Sequence, residues 1–381
     1  VWTAFLVAQP LYVLPTGLPQ PGDLLLLPLL GIVLAGWDGR LGRDAMRVLK
    51  ALLVFTVWVA IVDYGWAALD GNWVVFGREG MLMYPLYYIY NFLLMFAALV
   101  LHRQYGDYFL RVTMAALFVT LVVLVAASMV LPGANSGRGK LFFANPNQLG
   151  YHALLCGCII TLAYRHVGWS SLRAGICLSA CAYLSFVSAS RSALAGIAVL
   201  VVLLTVSNLK VIIATGIAAL LALQLGGPLA RGIDATEQRM LNPRSPEMTF
   251  FEQRGYDRLA NNKQYLLLGA GEGATHRFEE TTAFGGGEIH SSGAMLLFCY
   301  GIVGVVLFGA FLFRLVRGAR LRAGMILIPP LMYTFAHQGL RFSLLWVMVA
   351  MFVAVKASNS LPDIVRTRRS PAPRPTLLEP T

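Results

Sequence analysis

Four arginines and two histidines are the residues of this chain best suited to chemistry. Arg191 sits in Ser188-Ala189-Ser190-Arg191-Ser192-Ala193. Arg254 and Arg258 stand four apart in Glu252-Gln253-Arg254-Gly255-Tyr256-Asp257-Arg258, and His337 and Arg341 repeat that spacing. His290 directly precedes Ser291 and Ser292. A guanidinium suits phosphate because its planar fork makes two parallel charged hydrogen bonds. Without an anion, an arginine at a membrane boundary is costly or snorkels as an interfacial anchor. Residues four apart share a face if helical, which predicts two such pairs. For Arg258, a solvated helix with Glu252 and Asp257 as partners is the competing reading. Ser291 and Ser292 are N-cap types. A histidine beside a helix N-terminus feels the positive dipole end and is held neutral, the form a general base needs. A structural histidine bonded to a carbonyl is the alternative.

Other motifs are weaker. Leu266-Leu267-Leu268-Gly269-Ala270-Gly271-Glu272-Gly273 is glycine-rich, and such loops can cradle phosphate. It lacks the GK[ST] of a P-loop and any surrounding βαβ unit, so a plain turn is the better reading. Asn145-Pro146-Asn147-Gln148 reads as a helix start, and this is also the simpler account of Asn147. The run Tyr84-Pro85-Leu86-Tyr87-Tyr88-Ile89-Tyr90 fits a lipid or sugar groove and an interfacial aromatic belt equally. No HExxH, CxxC, DxD or Ser-His-Asp pattern stands out, so no metal ligands and no cofactor are indicated.

These residues need a scaffold, and composition says it lies in a bilayer. The chain is 57% hydrophobic and 13% charged, with mean hydropathy +0.68, against about 25% charged residues in soluble domains. Repeated apolar runs of about 20 residues predict an all-α integral membrane protein, since lipid cannot satisfy free backbone groups. About twelve spans are expected: 2–18, 23–37, 48–69, 80–101, 108–131, 148–165, 172–189, 192–207, 211–227, 291–313, 323–340 and 342–358. This gives membrane spans over 1–227, a polar loop over 228–290, further spans over 291–358 and a tail over 359–381 that reads as disordered. The loop holds seven of the thirty Lys and Arg and nine of the eighteen Asp and Glu. The connections on the side of 38–50, with the tail, hold eighteen Lys and Arg. By the positive-inside rule both termini are cytoplasmic, and the loop, Arg191, His290, His337 and Arg341 share the outer face. That placement favours an anion site for Arg191 over an anchor. Asp63 is an ionisable residue within a span and reads as isolated. The net charge of +12 lies in scattered short loops, which excludes a nucleic-acid surface. The five cysteines lie in apolar runs and read as small hydrophobes. The first apolar run carries no basic leader, so no cleavable signal is expected.

Taken in order, Ser190-Arg191-Ser192-Ala193, an outward loop with Arg254, the 266–273 segment, and His290-Ser291 leading into Tyr300-Gly301-Ile302-Val303-Gly304 resemble the O-antigen ligase and polymerase superfamily. The turn Asn145-Pro146-Asn147 fits as well. Two positions depart from that family's pattern: Leu266 stands where a proline is usual, and Arg258 where an aromatic often follows the loop arginine. The resemblance implies a GT-C-type glycosyltransferase of the bacterial inner membrane with a periplasmic site, metal-independent and without cofactor. Its donor would be an undecaprenyl diphosphate-linked glycan held by Arg191 and Arg254, and its base His290. Arg258, His337, Arg341, Asn147 and Ser192 would help bind the diphosphate or the acceptor. A single dominant loop and a short tail favour a ligase using the lipid A-core as acceptor. A polymerase and a protein O-oligosaccharyltransferase are the alternatives within the family, and a transporter or flippase the alternative outside it.

Overall fold

The computed structural model describes the chain apart from 15–17, 76–79, 132–137, most of 206–227 and of 242–254, 279–288 and 360–381. Among the described residues the structure is helical, with no strand. Five helices are long and apolar enough to cross a membrane: α4 (Arg43–Asp70), α5 (Met83–Tyr105), α6 (Asp107–Val130), α8 (Ser171–Ser188) and α12 (Ser292–Val316). At about 1.5 Å per residue, 18 to 28 residues reach across most or all of a ~30 Å hydrocarbon layer.

The other apolar runs form shorter pieces. The 2–18 run is helical only over α1 (Trp2–Ala8), and 23–37 becomes α2 (Pro21–Leu24) and α3 (Leu26–Ala35). α7 (Pro146–Ala163), α9 (Arg191–Thr205) and α15 (Ser343–Asn359) follow the expected runs closely. The 323–340 run splits into α13 (Leu321–Met325) and α14 (Ile328–Ala336), with Pro329 at the start of α14, where its missing N–H costs no helical bond. The polar loop contributes α10 (Pro228–Leu241) and α11 (Asp257–Asn261), and short 3₁₀ turns at Lys263–Tyr265 and Thr275–Arg277. The run 211–227 lies almost wholly outside the described residues.

α7 and α15 form the centre. Almost every residue of α7 from Leu149 to Ala163, and every residue of α15 from Leu344 to Val355, is buried. A helix apolar all round is one enclosed all round. α7 packs on α8, α9, α14 and α15, and α15 packs on α5. Small residues allow the close approach: a Cβ on Gly196 of α9 would sit 2.6 Å from Leu154 Cδ2 of α7. Asn145 caps α7, its side chain accepting from the Gln148 backbone N–H at 3.0 Å, with Pro146 at the first helical position. Asn145→Ala is expected to lower stability by about 1 kcal/mol, read as a lower thermal unfolding midpoint in detergent; an unchanged midpoint would remove the cap from this account.

The feature that positions the site is a break in α12. Gly301 has φ 69° and ψ −175°, far from helical. The break frees the carbonyls of Phe298 and Cys299 and the N–H groups of Ile302 and Val303. The 266–271 segment takes all four: Ala270 and Gly271 donate to Phe298 and Cys299 at 2.9 and 2.8 Å, while Ile302 and Val303 donate to Leu266 and Leu267 at 2.8 and 3.5 Å. Trp58 and Trp66 of α4 donate their indole N–H groups to the Tyr300 and Gly269 carbonyls, each at 2.9 Å. The four groups named at the kink, and the Tyr300 carbonyl, thus have partners, as an apolar setting requires. The glycine-rich segment is therefore not a plain turn. It is threaded into a helix, and Gly269 (φ 101°) lies so close that a Cβ would sit 2.3 Å from the Cys299 carbonyl oxygen.

Candidate active site

The threaded segment delivers Glu272 to the head of the bundle. The Glu272 backbone N–H donates to Asp63 Oδ1 of α4 at 2.7 Å, and the Tyr300 hydroxyl donates to Asp63 Oδ2 at 3.3 Å. Asp63 is thus not isolated, as its lone position in an apolar run suggested. It is fully buried and anchors the loop. The Glu272 carboxylate accepts from the Tyr88 hydroxyl at 3.2 Å and pairs with Arg341. Glu272 is 2% exposed and Arg341 22%. The Arg341 guanidinium lies 4.6 Å over the Tyr84 ring and 5.8 Å from that of Tyr87, so the tyrosine run of α5 forms the floor beneath a cation.

Glu272, Arg341 and Tyr84 line a cleft of about 380 Å³, counting the space open to solvent, together with Arg258, Gly273, Thr275, Phe278, Phe298 and Gln338, among others. Arg258 is buried, its guanidinium 5.2 and 5.8 Å from the Phe278 and Phe298 rings. The competing reading of Arg258 on a solvated helix does not hold. α11 spans only Asp257–Asn261, and the residue faces aromatic rings. Behind the cleft Arg277 pairs with Asp70 at 3.2 Å and donates to the Ala270 carbonyl at 2.6 Å. Burial pulls the Arg277 guanidinium below its ordinary value, and Asp70 opposes that. Two cations and one carboxylate around an aromatic-walled space make a site for an anion with an apolar or sugar-like attachment.

Among the described residues, the remaining expected ones do not line this cleft. His290 is half-buried and directly precedes Ser291, which caps α12 by accepting from the Ala294 N–H at 3.4 Å. Its neighbour Ile289 lines the cleft, and the Gln338 side chain donates to the Ile289 carbonyl at 2.9 Å. Among the described residues neither His290 nor His337 lines the cleft. His337 and Arg341 do not share a helical face. α14 ends at Ala336, His337 is extended (φ −146°, ψ 167°), and the chain turns before α15. The reason is visible at its carbonyl, which accepts from both the backbone N–H and the hydroxyl of Ser292, at 3.3 and 3.2 Å. The His337 ring packs on Tyr333 at 5.0 Å, and the Tyr333 hydroxyl donates to the Asn147 carbonyl at 2.9 Å.

Arg191 is exposed at the first position of α9 and Ser192 is half-buried beside it. The turn before them is shaped by Ala189, which is left-handed (φ 46°). Arg138, overlooked in the sequence, ties this turn to the start of α7. It donates to the Ser188 carbonyl at 3.1 Å and to Asn147 Oδ1 at 2.8 Å. Asn147 therefore braces the Arg138 side chain, while Asn145 does the capping. Arg254 lies outside the described residues.

The structure thus brings Arg258 and Arg341 to one cleft, and the stitched turns at 289–292 and 337–341 border it. Glu272 and Gln338 also line it and Asp63 braces it from behind, none of them read as a site residue from the sequence, while Tyr84 stands in the run that reads as either a groove or a belt. The available signals were slight: one acid in a glycine-rich segment and one acid in an apolar helix. Among the described residues no three His, Cys, Asp or Glu converge as metal ligands. No family model matches this chain, and no curated protein matches it either.

Proposed function

We propose that this chain is a GT-C-type membrane glycosyltransferase similar to the O-antigen ligases. In this reading it has about twelve spans with both termini cytoplasmic. It transfers a glycan from undecaprenyl diphosphate to the lipid A-core at the periplasmic face of the inner membrane. The observation that carries the reading is the cleft in which Arg258 and Arg341 face one aromatic-walled space beside Glu272. A diphosphate is already a good leaving group, so the site must chiefly neutralise its developing charge and accept the proton of the attacking hydroxyl. Arg258 and Arg341 supply charge in the cleft, and Arg191 and Arg254 are the further diphosphate ligands the resemblance implies. The resemblance assigns the base to His290 and places Ser192, Asn147 and His337 at the binding surface; the cleft itself adds a second acid–base group, Glu272. Direct displacement inverts the anomeric centre.

The transporter reading draws on one observation, the buried Asp63–Glu272–Arg341 network. Asp63 stands seven residues before the end of α4 at Asp70, which is about 10 Å of helix. The network therefore lies at one end of the bundle, where a surface site needs it, rather than at mid-span where an ion relay would sit.

Purified protein, lipid diphosphate-linked glycan and rough lipopolysaccharide, with EDTA and no nucleotide, should give a ladder of glycosylated lipopolysaccharide. Arg191→Ala should reduce its rate by about 10²- to 10³-fold, as loss of one transition-state donor does. Lengthening of the lipid-linked glycan instead would assign a polymerase, and folded protein that makes neither product would favour transport.

A further inference from the structure

We infer that Glu272, rather than His290, accepts the proton of the attacking hydroxyl, and that binding of the donor diphosphate sets it free by drawing Arg341 away. The inference rests on the transferase reading above. Its ground is the arrangement of the cleft. Glu272 has its two carboxylate oxygens on different partners: Oε1 on the Tyr88 hydroxyl at 3.2 Å and Oε2 on Arg341. Its main chain is fixed from the other side by Asp63 at 2.7 Å. The carboxylate is thus held by Tyr88 and by its own anchored main chain, with its second oxygen covered by the more exposed Arg341. Arg341 is the more exposed member of the pair and rests on the Tyr84 face, which a guanidinium can slide across while keeping its ring contact.

A diphosphate entering the cleft carries more charge than one carboxylate and meets Arg258 as well as Arg341. Arg341 then has a stronger anionic partner, and Oε2 of Glu272 is left facing the space that the acceptor must enter. With Arg341 turned to the diphosphate, Glu272 Oε2 is open to a hydrogen bond from the acceptor hydroxyl. The base is therefore armed only when the donor is bound, which keeps the site from activating water alone. In the transfer step the acceptor O–H gives its proton to Glu272 Oε2 while its oxygen bonds to the anomeric carbon. The bond from that carbon to the diphosphate oxygen breaks, and its electron pair leaves on the diphosphate, held by Arg258 and Arg341. The proton then passes from Glu272 to water.

Diphosphate affinity and glycan transfer are measured on the full chain in nanodiscs. Inorganic diphosphate is the binding probe. Glu272→Gln, which keeps an acceptor for Tyr88, should bind diphosphate about tenfold more tightly than the wild type, because Arg341 no longer has to leave a carboxylate. Its transfer rate should fall by about 10²- to 10⁴-fold, the range for loss of a base. Glu272→Ala should be equally slow, and added formate should restore part of its rate by standing in for the missing carboxylate. His290→Ala should transfer faster than either. Loss of transfer without formate rescue, or weaker diphosphate binding by Glu272→Gln, would mark a structural pair and overturn the inference. A wild type that transfers while Glu272→Ala keeps pace with it would remove the base role and leave the transferase standing. A folded wild type that transfers to no acceptor would remove the transferase reading, and the base role with it.

Discussion

Gly301→Ala is expected to destabilise the protein by roughly 3–5 kcal/mol and to abolish transfer. The backbone at Gly301 (φ 69°, ψ −175°) lies in a region that only glycine occupies without strain. An added Cβ would also sit 2.3 Å from the Leu267 carbonyl oxygen and 2.7 Å from the Gly269 N. Both atoms are main chain, so no side-chain rotation can relieve the contact. The helix can accept alanine only by straightening, which withdraws the carbonyls of Phe298 and Cys299 from Ala270 and Gly271. The threaded segment then loses its seat, and Glu272 leaves Asp63 and Arg341. Thermal unfolding in detergent, with limited proteolysis of the 266–273 segment, reads the effect. Gly309→Ala in the same helix is the control, because nothing lies within 4 Å of its would-be Cβ. Equal midpoints for the two variants would refute the threading.

The second large effect is at Arg341. Arg341→Ala leaves the Glu272 carboxylate buried, with Tyr88 as its remaining side-chain partner among the described residues, and breaking a buried pair from one side costs about 3–5 kcal/mol. Adding Glu272→Gln removes the stranded charge, so the double variant should recover much of that loss in stability while remaining inactive in transfer. Arg341→Lys should not restore function, since an ammonium cannot reproduce the planar fork or its stacking on Tyr84. The thermal midpoints of the four proteins in the double-mutant cycle give the coupling. Additive losses would show that Glu272 and Arg341 do not act as a pair.

Much of the scaffold was legible because bilayer physics is local. A run of about 20 apolar residues must be helical in lipid whatever surrounds it, and α4, α5, α6, α8 and α12 lie where such runs predict them. The helix starts were legible for the same reason. Asn145 and Ser291 cap the turns directly after them, and a cap is decided within four residues. The pairing of His337 with Arg341 was not legible. Spacing alone predicted a shared helical face, but Ser292, distant in sequence, holds the His337 carbonyl where the chain leaves the helix.

The cleft shows the same limit more sharply. Arg258 and Arg341 were identifiable by residue type, because a guanidinium in so apolar a chain needs a partner. Glu272 and Asp63 drew little notice, because an acid in a glycine-rich segment and an acid in a membrane helix have no meaning apart. They meet only because Gly301 interrupts α12 and the 266–271 segment fills the gap. The sequence by itself determined the helical membrane scaffold, its caps and the supply of cations, all set by contacts within a turn or by the solvent. The tertiary structure alone decided which charges share one space. Such pairs join residues more than two hundred positions apart in one case and about seventy in another, and no local preference reaches that far.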